Sequence, residues 1–513
     1  MKFKDLLLPF ALALVSTWAI QRFIITPFFG SATESKNFMA PTPNQEAVKP
    51  LNLEVDFLDD SRAKKATLTE IDTPLAHYVF TSDGAALERV DFKRKIDGVD
   101  STVTTVFPAD QTERESLCFL VALGEKTPFY YELIDRKDAA DSTQLTYQAS
   151  FGDGTIQKTF TIFNNTYKVL LDVTISPKSG LQKGIEPRIF IPVPVMTELA
   201  NENVSASIAT DQKGKVQKTT KDSLDPRKGW FAPTLFGLEN RYFVHAMVDD
   251  PQQFVKRAYY KLAGKSGMFA VLEGHEITKE TTWSLAFYFG PKEEPAMIAV
   301  DPRLEAVLDY AGWFAPVSRV MLYILNFLYG YLKNYGLAII ALTILLKLLL
   351  LPLTLRSEKG MKQQLELKKK LQYVQQRYKN DPETLAREKA ELIRKHGMPD
   401  MAGCLPLLIQ MPVFIGLARI LSNSIELYHA PFFGWIHDLS APDPYYVLPA
   451  LTGVTMIVAS MGEDLKQRLT VFVVATIFVF VTAKFSAGLT LYIFMYNFLN
   501  LIQKSIQKML KTA

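Results

Sequence analysis

"NYGLAIIALTILLKLLLLPLT", residues 334–354, is an apolar run of helical length with one ammonium group, Lys347, near its middle. A lysine at the centre of a membrane helix costs about 2.5–3.5 kcal/mol on insertion scales, so one that is kept there marks a functional site. Successive helical residues turn by about 100°, which aligns positions 7, 11 and 18 apart. Counted from Gly336, these positions are Thr343, Lys347 and Thr354. The polar atoms of the run therefore share one stripe, and Ile and Leu fill the other faces.

The chain has 513 residues, 48% apolar and 21% charged, with a net charge of +4. Those averages conceal a split in polarity: 51–300 reads as an exported soluble domain, whereas 301–513 carries the long apolar stretches. The six histidines (77, 245, 275, 396, 429, 437) show no metal-ligand spacing. "AGKSG" at 263–267 lacks the first glycine of a phosphate loop, since Tyr259 stands there. No metal, nucleotide or other cofactor is expected. The two cysteines, Cys118 and Cys404, fall in different compartments on the topology below, which excludes a disulfide between them.

Residues 1–29 have a basic start and an apolar stretch that resumes after Arg22, which suits an uncleaved anchor. A cleaved signal peptide with Gly30-Ser31-Ala32 as its site is the competing reading. Residues 30–50 are a flexible linker. Across 51–300 short alternating runs are broken by turns such as Asp83-Gly84 and Asn164-Asn165, with no helices between them. That pattern predicts an all-β sandwich.

Twelve Lys and Arg stand against six Asp and Glu in 356–396, which places that segment in the cytoplasm. An even number of spans must then precede it, so 301–333, although apolar and aromatic, is expected to be an interfacial amphipathic helix on the outer face. The spans expected after the anchor are 336–355, 404–428, 445–461, 469–485 and 488–506, with both termini cytoplasmic and 30–333 outside. Residues 357–397 read as a basic helical hairpin, its second helix capped by Asp381.

Polar residues recur on two other spans: Gln410 on 404–428, and Tyr492, Tyr496, Asn497 and Asn500 on 488–506. Four readings of Lys347 stand side by side. It is paired with a carboxylate, although Glu426 is the one acid within a span and has Arg419 seven residues before it; it is the base of a Ser–Lys dyad; it is the charge of a secondary transporter or channel; or it lines a water-filled groove.

"NYGLAIIALTILLKLLLLPLT", "GCLPLLIQMPVFIGLARIL" (403–421), "APFFGWIHDLSAPDPYYVLPALTGVTM" (430–456) and "SAGLTLYIFMYNFLNLIQ" (486–503) together resemble the YidC-type membrane protein insertases. The anchor, linker, β-rich domain and "YFGPK" resemble the Gram-negative form with a large periplasmic domain. The resemblance implies a β-supersandwich periplasmic domain and six transmembrane helices, five of them (within 334–513) forming the insertase core around a cytoplasm-open hydrophilic groove. It places the groove's positive charge on Lys347, with Thr343, Gln410, Tyr492 and Asn497 as polar neighbours. Lysine stands where arginine is usual, which keeps the charge and loses the planar fork. "MPDMAGC" departs from the Asn-Pro that usually precedes Gly-Cys, and the chain reaches Ala513 without a long basic extension.

The expected function is that of a non-enzymatic insertase and chaperone of the inner membrane. Its implied partners are nascent membrane proteins, the Sec translocon with accessory subunits, and lipid. The ribosome and anionic lipids would meet the hairpin 357–397. The alternatives are a transporter or channel using the intramembrane lysine, and a mainly structural assembly factor.

Overall fold

The computed structural model describes residues 55–58, 65–96, 99–106, 117–123, 127–178, 184–196, 206–210, 215–220, 224–225, 228–263, 267–308, 315–378, 381–396, 405–461 and 465–512. The expected anchor 1–29 and linker 30–50 lie outside the described residues. Contacts divide the chain into one unit within 18–311 and another that takes in 312–513.

The first unit is built from antiparallel strands. Nine form one sheet in the order Val216–Thr220, Ala206–Thr210, Phe236–Glu239, Phe243–Asp249, Thr281–Pro291, Lys168–Pro177, Gly154–Phe163, Ser142–Phe151, Glu132–Asp138. A five-stranded sheet runs from Leu68–Asp72 through Ala76–Thr81, Ala86–Ile96 and Val99–Val106 to Val195–Met196. A second runs from Gly229–Phe231 through Val255–Ala263, Gly267–Gly274 and Arg188–Pro192 to Leu120–Ala122. Asp83-Gly84 makes the expected hairpin turn, with Gly84 at φ +66°, a left-handed value that a residue without Cβ adopts freely.

Aromatic side chains join the sheets. Phe92 stacks on Phe243 at 4.7 Å and Phe80 meets Phe160 at 4.8 Å, linking the first five-stranded sheet to the nine-stranded one. Tyr260 stacks on Phe236 at 4.4 Å, linking the second. Lys158 stands on the buried face of Gly154–Phe163, between Ile156 and Phe160, and is itself fully buried. Its Nζ donates to the carbonyls of Gly84, Ala85 and Phe119 at 2.7, 2.6 and 2.5 Å. Three carbonyl acceptors match the three N–H groups of an ammonium, while burial pulls the lysine's pKa well below its ordinary value.

Helix α1 (Glu294–Val300) and a 3-10 turn (Pro302–Val307) end this unit. Arg303 donates to Asp301, to Thr234 Oγ1 and to the Val248 carbonyl, and Lys218 donates to the Val307 carbonyl at 2.6 Å. The stretch 301–333, expected as one interfacial helix, therefore begins as a turn fastened to the β-unit. Asp301 caps it by accepting the Arg303 amide, and the α-helix proper is α2 (Ala315–Leu332).

The second unit continues with α3 (Tyr335–Arg377), α4 (Pro382–His396), α5 (Leu405–Asn423), α6 (Val447–Ala459), α7 (Leu465–Thr482) and α8 (Ala487–Thr512). α3 does not stop where its hydropathy falls at 355: the first half of the expected hairpin is the continuation of the same 43-residue helix. Asp381 caps α4 as expected, accepting the Thr384 amide at 3.1 Å and its hydroxyl at 2.6 Å. α8 packs against α3 and α6, α2 against α3 and α5, and α6 against α7. Among the described residues one helical window, Tyr335–Pro352, is long and apolar enough to cross a membrane, with a mean hydropathy of 2.2. Val413–Asn423, Val447–Ala459 and Arg468–Thr482 are apolar but shorter.

Candidate functional site

The polar stripe of α3 faces inward. Thr343 is 1% exposed and Lys347 7% exposed, whereas Leu348 and Leu349, one and two residues further on, are 61% and 71% exposed. Ile344 and Leu345 lie on the same outer arc. One helix thus presents a bare aliphatic face and buries its cation on the other side.

The Lys347 Nζ donates a hydrogen bond to Asn500 Oδ1 of α8 and sits 5.1 Å from the centroid of the Tyr496 ring. The Asn500 side chain also interacts with the Tyr496 hydroxyl. On α8 the lysine meets Tyr496 and Asn500, on the same helix as the expected Tyr492 and Asn497. Depth brings Asn500 level with the lysine. Lys347 lies about 18 Å along α3 from its first residue; Asn500 lies about 20 Å along α8, but Tyr492 only about 8 Å. Tyr492 is buried a turn above, 6.3 Å from Tyr496 between ring centroids. Asn497 turns its amide to the Ile493 carbonyl of its own helix at 3.0 Å, and the Thr343 hydroxyl likewise donates to the Ile339 carbonyl at 2.7 Å. Gln410 falls within α5, and its side chain lies outside the described residues.

The depths compare because one loop ties the starts of both helices. In 424–446, the Leu439 carbonyl accepts the Gly488 amide at 2.9 Å and the Ala441 carbonyl accepts the Ala487 amide at 2.7 Å. The Pro431 carbonyl accepts the Asn334 side-chain amide at 3.2 Å, while Asn334 Oδ1 caps α3 by accepting the Leu337 amide at 3.0 Å. Phe432 packs against the α-carbon of Gly336, where any side chain would collide with its ring. The Ser486 hydroxyl donates to the Leu421 carbonyl of α5 at 3.2 Å. These bonds make 424–446 a cap that joins the starts of α3 and α8 to the end of α5.

A family model described as the YidC periplasmic domain matches residues 68–324, and one described as the 60Kd inner membrane protein matches 327–512. The chain is 30% identical over 468 residues to the membrane protein insertase YidC of Geobacter metallireducens, covering 86% of each chain. It belongs to the YidC family. The YidC of Syntrophus aciditrophicus is also 30% identical, over 503 residues that cover 92% of this chain and 89% of that one. The YidC of Campylobacter jejuni is 41% identical over 222 residues, 42% of each chain. As a YidC-family member the chain is an inner-membrane protein whose β-rich part is the periplasmic domain and whose helical part is the core. Lys347 and its partners on α8 fall within the matched 60Kd segment.

Proposed function

We propose that this chain inserts nascent membrane proteins by drawing their polar flanks into the helical core through Lys347, without making or breaking a covalent bond. The supporting observation is the placement of Lys347, an ammonium held inside the bundle by a neutral amide and an aromatic face, on a helix whose opposite side is bare aliphatic surface. A substrate's apolar segment gains free energy on reaching lipid, and the obstacle is the hydrophilic stretch that must go ahead of it. A fixed cation inside the bundle lowers that obstacle for acidic flanks: at 4 Å the attraction is worth about 4 kcal/mol at an effective dielectric of 20. Release follows sideways, past Ile344, Leu345, Leu348 and Leu349.

In this reading the anchor, α3, α5, α6, α7 and α8 make six spans with both termini cytoplasmic, and α2 lies in the outer interface. Tyr323, Phe327 and Tyr331 form an exposed aromatic stripe on α2 suited to that position. The cap faces the periplasm, and a groove beside Lys347 opens to the cytoplasm and to lipid. The extension of α3 and the helix α4 meet the ribosome or anionic headgroups through their basic residues, and the Sec translocon is a further partner. A photocrosslinker placed at Thr343 or Asn497 is expected to trap the apolar segment of a stalled nascent chain. Crosslinks to a small solute transported across the membrane, with none to nascent chains, would assign the lysine to transport.

A further inference from the structure

We infer that Tyr496 and Asn500 are a displaceable seat for the Lys347 ammonium, and that this seat makes the core select substrate flanks bearing carboxylates over flanks of equal polarity without charge. The inference rests on the insertion reading above and adds the residues that set its selectivity. A lysine stem is long enough to carry its head group away towards water, so a cation kept at a fixed depth has to be held there. Asn500 Oδ1 accepts from Nζ, and the Tyr496 ring lies under the charge at 5.1 Å.

Both partners are neutral. The bond to Asn500 has one charged partner, whereas an ammonium–carboxylate bond has two and adds the attraction of opposite charges, so a substrate carboxylate gains by taking the place of Asn500. A substrate amide or hydroxyl would exchange like for like and gain nothing. Asn500 is thus a positioning residue: it holds the cation ready and yields it to an anion.

The test uses the full chain in liposomes of phosphatidylethanolamine and phosphatidylglycerol, with a single-span reporter whose short flank carries Asp residues or the matching Asn residues. The readout is the ratio of insertion, acidic over amide. Asn500→Asp gives Lys347 a permanent counter-charge and is expected to lower that ratio about tenfold, the scale of one charge-assisted hydrogen bond. Asn500→Leu removes the acceptor at similar volume, frees the ammonium from its depth, and is expected to lower the ratio towards that of Lys347→Ala. A native ratio in Asn500→Asp, or a native ratio in Asn500→Leu, would overturn the seat. Should Asn500→Asp fail to fold, Asn500→Leu decides alone. A native ratio of one would overturn the seat, whereas failure of the native chain to insert either reporter would overturn the insertion reading itself.

Discussion

Asp443 Oδ1 accepts the Trp435 indole N–H at 3.0 Å while its Oδ2 accepts the Leu448 amide at 2.7 Å, so one buried carboxylate joins the cap to the first turn of α6. The Tyr445 amide adds a third bond at 3.0 Å. Asp443→Ala leaves these donors without an acceptor, and buried unsatisfied donors cost about 1–3 kcal/mol each. Hydrogen exchange of the full chain in detergent is expected to accelerate across 428–446 and the start of α6. Asp443→Asn keeps one acceptor oxygen and should fall between the two.

Gly336 and Phe432 are coupled by shape. Any β-carbon at 336 enters the space of the Phe432 ring, so Gly336→Ala overpacks the junction between α3 and the cap. Overpacking of this kind costs about 1–3 kcal/mol. Phe432→Leu in the same chain makes room, and the double variant is expected to melt above Gly336→Ala alone. Strictly additive losses in thermal unfolding would contradict the contact.

His245 makes the periplasmic domain sensitive to acid. The ring is fully buried and stacks on Phe289 at 4.3 Å. Burial pushes its pKa down to about 3, against a smaller opposing effect of the Pro192 backbone. Between pH 6.5 and about 3 the unfolded chain binds a proton that the folded chain refuses. Stability from this group is therefore complete above 6.5 and declines as pH falls, by up to about 1.4 kcal/mol per unit. Exchange protection of Phe243–Asp249, corrected for intrinsic rates, should drop between pH 7.5 and 5, and much less in His245→Phe.

How far the sequence could be read depended on whether a feature is local to one helix or strand. The inward stripe Gly336–Thr343–Lys347 follows from helical periodicity alone, and so does the exposed aliphatic arc opposite it. The partners of Lys347 do not, because pairing between helices depends on relative depth. That depth is set by the loop 424–446, which ties the starts of α3 and α8. Counting residues inward from Asn334 and Ser486 puts Lys347 level with Leu499, beside Asn500 and within two residues of Asn497. The continuation of α3 to Arg377 was hidden because the charge change at 356 marks a change of solvent, not of backbone. Pro352 stands inside the helix, and the Thr354 hydroxyl bonds the Leu350 carbonyl two residues on. Lys158 gave no signal, since its cradle comes from Gly84, Ala85 and Phe119, far away in the chain.

The charge at 347 is the centre of the account, and insertion of a small single-span substrate into liposomes by the purified chain tests it most directly. Lys347→Arg is expected to retain insertion, and Lys347→Ala to lose at least about tenfold, since a charge attraction of about 4 kcal/mol is removed. Lys347→Glu should lose as much or more. Native-level insertion by the folded Lys347→Glu protein would contradict the account.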